Sequence, residues 1–194
     1  FRLGVLLCLG ALSSNSFAFR STDSESFTDP AYKDFKPRKV VVMVSNTDSD
    51  MRKMIEERLI DRLAEFGVAA IKERDLFPPT REWAAESRSQ VLSENDVDSA
   101  LMISAGTSST EIRDIGVQTF GSATVSGNTV NANATSYNVI RARSKADFSA
   151  VLIDSKTART AWYADITTKA SGTLFVGDKG DAKGAVKGVI DALL

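Results

Sequence analysis

Lys39-Val-Val-Val-Met-Val-Ser45 is an apolar, β-branched run of strand length. It is apolar on both faces, which predicts a strand in the middle of a sheet. Asn46-Thr-Asp-Ser-Asp50 then supplies capping residues and negative charge for a helix start. Met51, Met54, Ile55, Leu59, Ile60, Leu63 and Phe66 recur at three- and four-residue spacing between charged residues, and Gly67 follows where a left-handed C′ residue belongs. This predicts an amphipathic helix, and Val68 to Ile71 reads as the strand after it. The opening is therefore a β-α-β unit.

Further on, Phe77-Pro-Pro-Thr80 ends that strand, and Thr80 is placed to cap a second helical segment. Ser87-x-x-Gln90 has capping-box spacing and restarts a helix through Leu92. Asp96 to Ser104 leads into another buried strand. From Ile112 to Gly172 the pattern changes to period two. Gly127-Asn128 reads as a two-residue hairpin turn. Tyr137 to Asp154 is a long strand with Arg141, Arg143, Lys145 and Asp147 on one face and Ile140, Ala142, Ala146 and Phe148 on the other. Ser155 to Arg159 turns the chain, and Thr160 to Thr167 runs back as the partner strand. Asp181 to Leu194 closes the chain as a helix, with Val186, Val189, Ile190, Leu193 and Leu194 apolar.

These elements describe a single α/β domain, α+β-like in character, over residues 39–194. Its mixed sheet has an early β-α-β unit, a later antiparallel hairpin meander and a C-terminal helix packed on one face. The ends add a compartment. Arg2 precedes the short apolar run Leu3 to Leu12, and Ser16-Phe17-Ala18 is a small-x-small cleavage site, so residues 1–18 read as a secretory signal peptide. The run is too short to span a bilayer. A lipoprotein signal at Cys8 is the rival reading, but Leu7 before that cysteine fits it poorly. Residues 19–38, rich in Ser, Thr, Asp and Lys without sustained periodicity, read as a flexible leader. The expected location is the periplasm, with outer-membrane lipoprotein second and no transmembrane segment in the mature chain.

Composition narrows the chemistry. The chain of 194 residues has no histidine and one cysteine, which removes the commonest general base, the commonest zinc ligand and any internal disulfide. Cleavage after Ala18 would remove the cysteine as well. With 24 basic against 25 acidic residues, no overall positive charge draws nucleic acid. Asp48 and Asp50 begin like a calcium loop, but Met51, Arg52 and Lys53 replace its remaining ligands. Glu56, Glu57, Asp61 and Glu65, mixed with Arg52, Lys53, Arg58 and Arg62, read as a solvated helix face. There is no G-x-S-x-G elbow, and the glycines from Gly177 to Gly184 fit no phosphate loop and read as a flexible approach to the last helix. No catalytic, cofactor or metal residues are expected. The candidate partner or ligand surface is the basic stripe Arg141, Arg143 and Lys145 with Trp162 and Tyr163 on the next strand. Those two aromatics point to opposite faces, so one is core.

The order of signals resembles bacterial envelope α/β proteins of the curli-secretion-lipoprotein and penicillin-binding-protein-activator type. The resembling residues are Val40 to Val44 with the helix ending at Gly67, then Phe77-Pro-Pro-Thr80 and Asn95-Asp-Val-Asp-Ser-Ala-Leu-Met-Ile103. Val151-Leu-Ile-Asp-Ser-Lys-Thr-Ala-Arg-Thr-Ala-Trp162 completes the likeness, with Ala158 where such hairpins tend to have Gly. The resemblance implies periplasmic, non-enzymatic scaffolding or partner regulation and supplies no catalytic residues. The function expected from the sequence is thus an exported, non-catalytic module that binds or regulates another envelope protein, with self-association as a further partner. A small-ligand or glycan-binding protein and a carboxylate-dependent hydrolase are the alternatives.

Overall fold

The computed structural model describes residues 19–126, 129–172 and 178–194, with side chains placed for all of these except 19, 112–126, 129–142, 172 and 178–179. Residues 1–18, read above as a signal peptide, and Gly127-Asn128, read as a hairpin turn, lie outside the described residues. One six-stranded sheet, in the order β1-β6-β5-β4-β2-β3, organises the chain. Its strands are β1 (Phe19–Thr28), β2 (Lys39–Ser45), β3 (Ala69–Lys72), β4 (Ser99–Ser126), β5 (Thr129–Asp154) and β6 (Thr160–Gly172). The helices are α1 (Ser49–Glu65), α2 (Glu73–Leu76), α3 (Ala85–Glu94) and α4 (Asp178–Leu193). β2 runs parallel to both β3 and β4, and every other pairing is antiparallel. The fold is α/β with a mixed sheet, an early β-α-β unit, an antiparallel meander and a C-terminal helix on one face.

Local chemistry sets the boundaries of α1. The Asp48 carboxylate accepts from the amides of Asp50 and Met51, both at 2.9 Å, which satisfies donors that have no partner inside the helix. At the other end Gly67 takes φ +76°, a conformation glycine adopts without penalty. Met51, Ile55, Leu59 and Leu63 are buried against Val40, Val42 and Val44 of β2. α4 packs beside α1 and over β6, β1 and β5. Both helices therefore cover one face of the sheet. α2 touches β2 and β3. α3 starts at Ala85 with no side-chain cap, so Ser87 sits inside the helix rather than capping it.

Three expectations are corrected. Phe19 to Thr28 is not a flexible leader: it pairs with β6 from Phe19↔Ser171 to Thr28↔Trp162 as an edge strand. Its hydrophilic composition is compatible with that place, because an edge strand needs one covered face only, and Thr22 faces α4 while Asp23 reaches Lys169. Beyond it a 3₁₀ turn, Pro30–Tyr32, brings Tyr32 and Phe35 against the core. Gly180 and Gly184 are not a flexible approach but lie inside α4. A Cβ at Gly184 would stand 2.6 Å from Thr168 Cγ2, and one at Gly188 2.5 Å from Ile166 Cγ2. The helix lies so close to β6 that glycine at four-residue spacing is the residue that fits. Finally, Glu56 does not belong to the solvated face of α1. It is 3% exposed, with Arg74 4.0 Å away.

Two acidic residues hold the strand ends together. The Asp98 carboxylate accepts the Arg38 amide at 2.9 Å, which ties the start of β4 to the start of β2. Asp154 accepts from the Lys156 amide at 3.0 Å, Thr157 Oγ1 at 2.7 Å and Tyr32 Oη at 3.1 Å. Burial pushes its carboxyl up, but these hydrogen bonds and the Lys156 charge outweigh that and hold it below the usual carboxylate range. Asp154 thereby fixes the β5–β6 turn, in which Ala158 takes φ +55°.

Candidate functional site: the open face of the sheet

The alternation of β5 and β6 decides where the sequence-derived site residues go. Ser144, Ala146, Phe148, Ala150 and Leu152 are buried on the helix side, so Arg143 and Lys145 stand on the opposite, open face and are exposed. Arg141 belongs to the same strand, with its side chain outside the described residues. Trp162 is a correction to the candidate surface: it is 4% exposed and its indole donates to the Ala192 carbonyl at 3.2 Å. It is a core residue under the end of α4. Tyr163 is the aromatic on the open face. Its hydroxyl donates to Asp165, and that carboxylate raises its pKa above the ordinary phenol value, with burial adding to the rise.

The structure does not bring the two halves of the expected site together. Lys145 pairs with Lys169 while Tyr163 pairs with Val151, so six strand positions, about 20 Å, separate Tyr163 from the basic stripe. Part of the stripe is also matched by acidic residues. Lys145 Nζ lies 3.1 Å from Asp147, Lys169 Nζ lies 2.9 Å from Asp23, and Arg143 stands opposite Glu111 in register. Asp147 further accepts from Thr167 and Thr107. The Thr167 bond, with the help of Lys145 and Thr107, outweighs burial and lowers its pKa.

Around Tyr163 a different arrangement appears. The registers run Met43↔Met102, Met102↔Val151, Val151↔Tyr163 and Tyr163↔Phe27. Five apolar or aromatic side chains thus form one row across β2, β4, β5, β6 and β1. At the sheet spacing the row is about 19 Å long. Phe27 is 60% and Met102 37% exposed. Among the described residues α1 and α4 lie on the other side of the sheet, and α2 touches β2 and β3, at the Met43 end of the row. The neighbouring row, Ser45, Ser104, Ser149, Asp165 and Glu25, is hydroxylic and then acidic. Sequence reasoning picked out Tyr163 but missed Phe27, Met43, Met102 and Val151. Their alternation marks a face of each strand, but only the register aligns them.

A second concavity lies where the C-terminal end of β2 and the middle of β4 meet the start of α1. This cleft of about 340 Å3 is lined by Asn46, Thr47, Asp48, Gly106, Thr107 and Asp147 among others. Its carboxylates are already engaged. Asp48 caps α1, which lowers its pKa chiefly through the Met51 amide against the effect of burial, and Asp147 holds two threonines and Lys145. The cleft reads as hydroxyl-rich packing at the sheet end. Among the described residues no group of three or more Asp, Glu, Cys or His side chains is placed to hold a metal ion.

No protein-family model matches this chain, and no curated protein matches it in sequence. Several solved structures share a distant likeness. A PelC dodecamer from Paraburkholderia phytofirmans is 12% identical, over 90% of this chain and 100% of that one, with a TM-score of 0.45. A neuraminyllactose-binding hemagglutinin homolog from Helicobacter pylori is 9% identical, over 81% and 86%, with a TM-score of 0.42. A PDZ domain protein from Parabacteroides distasonis is 11% identical, over 91% of this chain and 36% of that one, with a TM-score of 0.34. At such scores the likeness carries no argument about this chain's site or partner.

Proposed function

We propose that this protein is an exported, non-catalytic module of the cell envelope that holds another protein against the open face of its sheet. One observation carries the reading: the row Phe27, Tyr163, Val151, Met102 and Met43 crosses five strands on the face opposite α1 and α4, with Phe27 and Met102 exposed. Contiguous exposed apolar surface rimmed by polar residues is the usual signature of a protein-binding patch. The rim selects the partner's chemistry. Asp165 and Glu25 flank the aromatic end of the row, so the complementary surface is an apolar strip edged by lysine or arginine. A glycan or anionic ligand on the basic stripe has weaker support, because Lys145 is paired with Asp147 and Arg143 stands opposite Glu111.

A photo-crosslinking residue at Tyr163 tests this in cells that export the protein natively. It is expected to capture an envelope protein, and Phe27→Ser combined with Met102→Lys is expected to abolish capture without lowering the unfolding temperature. Undiminished capture by the double variant, or recovery of the protein in the cytoplasm alone, would overturn the proposal.

A further inference from the structure

β4 and β5 are much longer than the sheet that holds them. They pair continuously, apart from two register shifts, from Ser99↔Asp154 out to Ser126↔Thr129. β2 lies beside β4 only along Ser99–Ser104, and β6 lies beside β5 only from Ala142 inward. From Arg113↔Arg141 outward the pair has no third strand among the described residues. It is a two-stranded ribbon whose arms run about 45 Å at the usual rise per residue. Both of its long edges are free of strand partners there.

The sequence of the ribbon does not protect those edges. From Ile115 to Ile140, 26 residues, there is no Asp, Glu, Lys, Arg or Pro. At an average charged content a stretch of that length carries about six charged residues. Exposed edges are ordinarily blunted by charge, proline or very short strands, and an isolated two-stranded hairpin is marginal in water without a third strand. The stretch is instead rich in Thr, Val, Ser, Asn and Ala, with β-formers throughout. We infer that the ribbon is an assembly arm: the free β4 edge of one copy pairs with the free β5 edge of the next, and the ribbons of several copies form a common sheet. The second copy is the occupant that the page supports. The uncharged β4 edge of one copy meets the uncharged β5 edge of the next without repulsion, and each copy offers one free edge of each kind, so pairing around a closed set of copies satisfies both edges of every ribbon. Pairing β5 antiparallel to β4 also continues the alternation that the ribbon already has.

The test is the mass of the full chain in solution by light scattering, together with three variants. The wild-type chain is expected to run as an assembly larger than a dimer. Joining Asp114 to Ile140 through Gly-Asn removes the ribbon and is expected to give a monomer with the same unfolding temperature. Thr119→Lys with Thr135→Lys keeps the ribbon and places like charges on adjoining copies. That variant is expected to dissociate at low salt and reassemble at high salt. In a Cys8→Ser background, mixed Thr119→Cys and Ser136→Cys single variants, at positions that face each other in the ribbon's own register, are expected to form a disulfide between copies. A monomeric wild type, or an assembly that survives loss of the ribbon, would overturn the inference. Failure here leaves the open-face proposal standing, because capture at Tyr163 does not require the ribbon, and Phe27→Ser with Met102→Lys is expected to leave assembly intact.

Discussion

The close approach of α4 to β6 can be tested by adding single methyl groups. At Gly184 a Cβ would lie 2.6 Å from Thr168 Cγ2 and 2.9 Å from Thr168 Cβ. Thr168 is poorly placed to move: it is 3% exposed and its hydroxyl donates to the Ala146 carbonyl at 3.2 Å. Two effects compete in Gly184→Ala. Alanine favours the helix over glycine by about 1 kcal/mol, whereas overpacking a fixed core site costs about 1–3 kcal/mol. The contact is with a β-branched side chain held by its own hydrogen bond, so overpacking wins, with an expected net loss of about 1–2 kcal/mol. For a chain of this size that lowers the melting temperature by about 2–8 °C. Thr168→Ser removes the methyl that the new Cβ meets and keeps the hydroxyl. The double variant Gly184→Ala/Thr168→Ser is therefore expected to recover at least about 0.5 kcal/mol of coupling in a double-mutant cycle. Urea unfolding of the four proteins measures it. Should Gly184→Ala prove more stable than the parent, or the cycle show no coupling, the glycines would be ordinary helix residues and the packing argument would fail.

Two further outcomes follow from conformation and charge. Ala158 holds φ +55° in the β5–β6 turn, a strain of about 1–2 kcal/mol for a residue with a Cβ, offset in part by the greater freedom of glycine in the unfolded chain. Ala158→Gly is expected to raise the melting temperature by about 2 °C, and a fall would refute the strain. Burial raises the pKa of Glu56 above 4.5 despite Arg74, Lys72 and Arg52 nearby. Its contribution to stability is therefore present below about pH 4.5 and lost as pH rises through the folded value. Glu56→Gln is expected to be more stable than the parent at pH 7, with the difference shrinking toward pH 4.5. Urea midpoints showing a difference that grows as pH falls would sink that assignment.

What could be read from the chain divides along physical lines. β2, α1, the Gly67 terminus and the long antiparallel strands were legible because apolar periodicity is a property of each segment alone. β1 was not. Ser21, Asp23 and Glu25 alternate with Arg20, Thr22 and Ser24, so neither face looks like core, and its place depends on β6 offering an edge. Gly180 and Gly184 looked like flexible residues because close approach is a property of two elements together. The sequence showed that Trp162 and Tyr163 face opposite ways, but only the position of α4 decides that Trp162 is the buried one.

The open face shows the same limit most sharply. Met43, Met102 and Val151 sit inside apolar runs that read as core on both faces, and Phe27 and Tyr163 are single aromatics of a kind ordinary on protein surfaces. They become one surface only because four registers set them side by side, and a slip of one residue in any pairing would send the whole strand's side chains to the other face. Those registers are fixed by features remote from the row. Asp98 locks the starts of β2 and β4, and Asp154 locks the turn between β5 and β6. The Asp98 and Asp154 carboxylates are thus engaged by backbone amides and hydroxyls at the strand ends. They hold the alignment from which a binding face results, so disrupting either should damage partner binding through register before any residue of the face is touched.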